Sequence, residues 1–182
     1  MDLTKLGRTE RVLAIVGLLA FIDSFLSWYS VTIKGFSLGS VSAGGYSASD
    51  NAWNIGFWAW FPMLLLLAVG VVVALPAFGQ RVAIRGGYAA LGSATLLATI
   101  IVLIRWLTYP SASDLVGSAG ADYGTYVGLI LCIVATVFAY LGFTAEGGSL
   151  AALGQSIKAR TQPSQQQAPP EYQQPPQPPQ QP

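Results

Sequence analysis

Two ionisable side chains, Asp23 and Arg105, fall inside long apolar runs of this 182-residue chain. A charge at membrane depth is costly unless something compensates it, so opposite signs predict an ion pair. If both runs are helical, about 1.5 Å per residue puts Asp23 roughly 9 Å below Tyr29 and Arg105 roughly 6 Å below Tyr109, a difference that a long Arg side chain can span. Ala20, Asp23, Ser27 and Ser30 share one helical face, and Arg105 shares another with Ala90, Ala94 and Ala98. Small and polar faces of this kind pack where helices approach closely. Two other chemistries stay open: Arg105 reaching the phosphates of the outer leaflet, and Asp23 carrying a proton or ion.

Other residue types narrow the range. Histidine is absent, which removes imidazole metal sites, His-assisted nucleophiles and imidazole pH sensing. The single cysteine, Cys132, excludes an intramolecular disulfide and a cysteine metal cluster, and is expected to pack between helices. No combination of residues points to a catalytic group, a metal or a cofactor, so the chain reads as a non-enzyme. The formal charge of +1 offers no field for nucleic acid. Near the end, Pro169, Pro170, Glu171 and Tyr172 form a P-P-x-Y string of the kind WW domains read. In a Pro/Gln-rich tail such strings also arise by chance, so a docking site for a cytoplasmic protein and a plain solvated tail both remain open.

The elements that would position these groups follow from composition. With 53% hydrophobic and 9% charged residues and a mean hydropathy of +0.53, the chain lies far from the roughly 25% charged residues usual in soluble domains. Four apolar runs, 12–29, 55–78, 88–109 and 125–143, are near the length of about 20 helical residues that spans a bilayer. The expected fold is an all-α integral membrane protein, a four-transmembrane-helix bundle, with the lipid bilayer as its principal partner. Basic residues precede the first run, but Asp23 interrupts it and no cleavage signal follows promptly, so an uncleaved anchor is expected rather than a signal peptide.

Lys5, Arg8, Arg11, Arg81, Arg85, Lys158 and Arg160 would fall on one side of the membrane, and Lys34 alone in a loop on the other. The positive-inside rule therefore predicts cytoplasmic N- and C-termini in a plasma membrane. Trp28, Trp53, Trp58, Trp60 and Trp106 all fall at the outer ends of the runs, as an interfacial belt or, alternatively, a stacking surface for a lipid or glycan. Between the runs, alternation at 31–34 and on to 36–38 suggests a short outer β-hairpin. Residues 110–124 read as a polar turn with one helical turn near Asp114.

Gly70 with Ala74, and Gly124 with Gly128, are small-xxx-small patterns for close packing, either within one chain or between copies in a homo-oligomer. Pro62 and Pro76 predict local kinks. The layout divides into a transmembrane domain (1–146), a juxtamembrane segment with a short amphipathic helix (147–160), and a disordered Pro/Gln-rich tail (161–182).

The opening 1–6, the stretch 25–31 (FLSWYSV) and the stretch 51–61 (NAWNIGFWAWF) resemble a group of small four-helix membrane proteins of actinobacteria. The layout is similar to the mycobacterial 34 kDa antigenic protein family, which also joins four spans to a Pro/Gln-rich tail. Ser27 departs from the proline associated with the group. The resemblance implies an actinobacterial plasma membrane, where WW domains would not be the tail's partners, and implies no reaction. The topology alone is also similar to claudins and MARVEL proteins, although the claudin outer-loop disulfide is impossible with one cysteine. The functional expectation is a non-enzymatic scaffold or accessory subunit whose tail recruits cytoplasmic partners; the alternative is a small transporter or channel subunit centred on Asp23 and Arg105.

Overall fold

A computed structural model describes residues 6–80, 87–110, 112–114 and 117–149. The chain divides into two compact units, Met1–Gly148 and Ser149–Pro182. Of the second unit only Ser149 is described, so the expected juxtamembrane helix and the Pro169, Pro170 and Tyr172 string lie outside the described residues, as do Arg81 and Arg85.

The first unit runs α1 (Arg8–Asp23), β1 (Ser27–Ile33), β2 (Phe36–Leu38), β3 (Val41–Ala43), β4 (Tyr46–Asn51), α2 (Ala52–Ile55), α3 (Phe57–Ala74), a 3-10 turn (Leu75–Phe78), α4 (Gly87–Thr108), β5 (Ala112–Asp114), β6 (Gly117–Ala121) and α5 (Tyr123–Ala145). It is mostly helical with a small sheet. Among the described residues three helices are long and apolar enough to cross a membrane: Phe57–Phe78, Gly87–Thr108 and Tyr123–Ala145, of 22, 22 and 23 residues. These match the second, third and fourth predicted runs to within a few residues.

The first run differs. Its helix ends at Asp23 instead of continuing to position 29, because the amides of Ser24, Phe25 and Leu26 turn back onto Ala20, Ile22 and Asp23. Ser27 onward is then taken by a sheet, and the aromatic and β-branched residues of SWYSVTI suit that pleated surface. At the other end of α1, the Gly7 amide donates to the Glu10 carboxylate at 2.7 Å, which satisfies an otherwise orphaned N–H.

The sheet extends well beyond a hairpin. Its order is β4-β1-β6-β5, all antiparallel, and it joins the segment before α2 to the segment before α5. Val31 lies opposite Ala48 on one side and Ala119 on the other. The segment expected as a polar turn with a helical turn near Asp114 is therefore two strands, recruited because β6 completes the ladder left open on β1. A separate hairpin, β2 with β3, turns at Gly39, whose φ of 61° is open to glycine without strain.

The four long helices form a ring in which α1 and α4 each pack on α3 and α5, and so face each other across a diagonal. Leu13, Val16, Met63, Leu66, Leu91, Val102 and Ala135 lie in the core. Between α1 and α3 the contact is backbone to backbone: a Cβ on Gly17 would stand 2.7 Å from the Leu66 carbonyl oxygen and 2.9 Å from the Gly70 Cα. Gly70 thus faces Gly17, a glycine that the small-xxx-small pattern did not include. Across α4 and α5 the Thr99 and Thr136 hydroxyls share a 2.9 Å hydrogen bond beside the buried Ala98. Ala94 packs against the core, while Ala74 and Ala90 are half-buried. Pro62 is accommodated inside α3, and Pro76 ends the regular helix in the 3-10 turn closed by Gly79.

Gly17→Val should therefore lower stability by about 1–3 kcal/mol through overpacking. Gly120→Ala, where an added Cβ meets nothing within 4 Å, should change it little. Thermal unfolding in detergent distinguishes the two, and equal effects would mean that α1 and α3 are not in backbone contact.

Candidate functional site

The site builds outward from Trp28. The register of β1 against β4 shifts between Ser27 and Tyr29, so Trp28 occupies an irregularity in the ladder. Bulges of this kind re-aim a side chain. Here the indole turns away from the sheet into the helix bundle and is fully buried. It lies on the strip of α5 where Gly124 and Gly128 leave room: a Cβ on Gly124 would stand 2.6 Å from the indole Cδ1, and one on Gly128 2.8 Å from Cζ2. The Gly124-x-x-x-Gly128 pattern is thus a slot for a ring. What these glycines face is an indole at a strand end, where the sequence pattern pointed to another helix.

Polar groups hold both the Trp28 ring and its peptide. The indole Nε1 donates to the Asp23 carbonyl oxygen at 3.0 Å. The Trp28 carbonyl accepts from the Thr125 hydroxyl at 2.7 Å and from the Asp122 amide at 3.0 Å. Asp122 caps α5 by accepting from the Tyr123 amide at 2.8 Å, and its other oxygen accepts from the Ser27 hydroxyl at 2.6 Å. Beside them the Trp53 indole donates to the Ser24 hydroxyl at 3.1 Å, and that hydroxyl donates to the Phe21 carbonyl at 2.6 Å. A carboxylate at a helix N-terminus also meets the positive end of the helix dipole.

Asp23 is the last helical residue of α1 and only 2% exposed. Its carboxylate faces α5, where a Cβ on Gly128 would come 2.8 Å from Oδ2. Among the described residues neither carboxylate oxygen has a hydrogen-bond partner. The expected contact with Arg105 is therefore not made. The reason is topological: Arg105 belongs to α4, which stands diagonally across the ring from α1, while the face carrying Asp23 is covered by α5. A buried oxygen pair without donors can take up a proton, a cation or buried water.

Arg105 finds a different neighbour. Its guanidinium carbon lies 4.5 Å from the centre of the Tyr109 ring, a cation–π arrangement, and Tyr109 stacks on Tyr29 at 5.3 Å. The Arg105 Nε is buried without an acceptor. Arg105 also lines a groove of about 340 Å³ with Trp58, Ile101, Ile104 and Thr108.

Of the five tryptophans expected in a belt, Trp28 is in the core instead, because the strand irregularity turns it inward. Trp53, Trp58 and Trp106 are exposed and Trp60 half-buried. Trp53 stacks on Trp60 at 5.6 Å, and Phe57 on Phe61 at 4.7 Å. At the opposite end of the bundle, Glu10, Tyr88 and Glu146 border a cavity of about 270 Å³, with the Tyr88 amide donating to Glu146 at 3.4 Å. Neither glutamate was singled out from the sequence; the only signal was that each lies within three residues of the end of a predicted apolar run. Cys132 is buried, as expected. Among the described residues no group of three or more His, Cys, Asp or Glu side chains is placed to hold a metal.

With both Asp23 oxygens unpartnered, Asp23→Asn should leave stability unchanged or raise it, since it removes a buried charge that nothing compensates. Combining it with Arg105→Leu should give strictly additive changes in thermal unfolding; a coupling of about 1 kcal/mol or more would restore the ion pair. Gly128→Leu, by contrast, should displace both the Trp28 ring and the Asp23 carboxylate and cost about 1–3 kcal/mol.

The chain matches no family model, no curated protein and no solved structure.

Proposed function

We propose that this chain is a multi-pass membrane scaffold or accessory subunit, crossing the bilayer four times and presenting a fixed sheet on one side and a Pro/Gln-rich tail on the other. The three long apolar helices supply three spans. We take α1 as the fourth because Ile15, Leu18, Leu19 and Ile22 stay exposed on it, in common with Leu96, Leu97 and Ile100 on α4 and Ile130 and Ile133 on α5. An apolar exterior of that extent suits lipid and not water. At about 1.5 Å per residue the 16 residues of α1 fall short of a bilayer core of about 30 Å, and the turn at 24–26 with the inserted Trp28 covers the remainder.

The observation that carries the scaffold reading is the fusion of the two loops at one end into a single sheet pinned to the bundle by Trp28. A platform tied to the helices by a buried indole, two hydroxyls and a helix cap is built to hold a shape. Backbone contact between α1 and α3 has the same tendency. By the basic-residue asymmetry the sheet lies outside, and both termini are cytoplasmic.

A second reading rests on one specific feature, the partnerless Asp23 carboxylate. In a small transporter or channel subunit it would be the proton or cation site. Proton flux into vesicles carrying the protein, abolished by Asp23→Asn at unchanged protein level, would favour that reading over the scaffold.

Two measurements test the scaffold and its orientation. In a Cys132→Ser background, cysteines at Ser40 and Ser118 should react with an impermeant maleimide in intact cells, and one at Gln167 should not; labelling at Gln167 would reverse the orientation. Proteins co-purified with the full chain should be lost when Pro169–Pro182 is removed and kept when Asp23 is changed to Asn. The reverse dependence would sink the scaffold.

A further inference from the structure

We propose that the groove between the sheet-side ends of α3 and α4 is a binding site for one anionic phospholipid, with its phosphate on Arg105 and an acyl chain along Trp58, Ile101 and Ile104. The site rests on the membrane placement proposed above. Ile101, Ile104, Arg105 and Thr108 follow one strip of α4, at i, i+3, i+4 and i+7, and Trp58, 63% exposed, supplies the facing wall from α3. The strip is apolar along its length and cationic near its end. That is the polarity of a lipid lying with its chain in the hydrocarbon and its head at the interface.

Arg105 is prepared for a phosphate in three respects. Its guanidinium lies against the Tyr109 ring at 4.5 Å, and that ring is itself held by stacking on Tyr29, whose hydroxyl donates to the Pro110 carbonyl at 3.2 Å. One face of the guanidinium is thereby fixed, while its in-plane N–H donors are the groups that engage a phosphate in a fork. Its Nε is buried with no acceptor among the described residues, so the two terminal Nη groups are the donors a phosphate in the groove would meet. And Asp23, the acid expected to neutralise it, faces α5 instead.

Charge complementarity selects the class of lipid. Among the described residues the groove lining holds a guanidinium and no carboxylate, so its net charge is matched by a head group with a single net negative charge and not by a zwitterionic one. Position agrees with this, since Arg105 is three residues from the end of α4, about 4.5 Å along the axis, within reach of the phosphate level.

The test uses the full chain reconstituted in vesicles of mixed phosphatidylglycerol and phosphatidylcholine, then transferred to mild detergent for native mass spectrometry of retained lipid. The wild-type protein should retain one phosphatidylglycerol in preference to phosphatidylcholine. Arg105→Leu should lower that preference about tenfold, the loss expected for one charge-assisted contact. Ile104→Trp, which keeps the charge and fills the groove, should lower retention as well. Lys34→Gln, which removes an equal charge from the turn after β1, should behave as wild type. Equal retention of the two lipids by the wild-type protein, or a preference that survives both Arg105→Leu and Ile104→Trp, would overturn the site. Flotation of the same samples with the vesicles reads the membrane placement separately: a chain that fails to float defeats that placement, whereas one that floats but retains lipid without regard to charge defeats only the lipid site.

Discussion

Burial of the Trp28 indole against Gly124 and Gly128 is the contact on which the remaining architecture depends. It is made by a residue that belongs by sequence to β1 and by packing to the bundle. Fully burying an aromatic side chain of this size contributes on the order of 1.5–3 kcal/mol relative to leaving it exposed. Its direction also aligns β1 for pairing on both edges, with β4 and with β6. The Trp28 carbonyl, held by Thr125 and by the Asp122 amide, fixes the start of α5 at the same point. One side chain and its own peptide therefore set the angle between sheet and helices.

That arrangement explains the fate of the two charges that lie in apolar runs. Turning Trp28 inward requires α1 to stop at Asp23, which brings the carboxylate against α5 at the level of the glycine slot. Arg105, on the helix diagonally opposite, is left to an aromatic stack at the rim. Opposite charges on two helices can offset each other's desolvation only if the helices are neighbours. In this ring they are not, so neither charge is offset by the other.

Small residues serve two distinct purposes at three places here. Gly17 and Gly70 let two backbones touch, Gly124 and Gly128 admit a ring, and Gly142 gives way to the Tyr88 ring. In a sequence these look alike, since each is a glycine in an apolar helix. What separates them is the neighbour, and in two of the three cases that neighbour is an aromatic side chain from another element.

The sequence by itself determined the long apolar helices, the clustering of aromatics toward one end and the location of the loops, because each depends on local composition and on the length of a helical run. It also marked Asp23 and Arg105 as unusual, since the cost of a charge in an apolar run does not require knowing the neighbours. It misjudged where α1 ends: SFLSWYSV is as apolar as a helix terminus needs to be, and only pairing with β4 and β6 makes it a strand. The second loop hid its strands for the same reason, because ASDLVGSAGA (112–121) favours neither helix nor strand and β5 and β6 form by completing an edge supplied from elsewhere in the chain. Which helices are neighbours, and hence whether two charges can meet, was decided by packing alone, since helix spacing fixes the face a residue occupies and leaves open what stands opposite it.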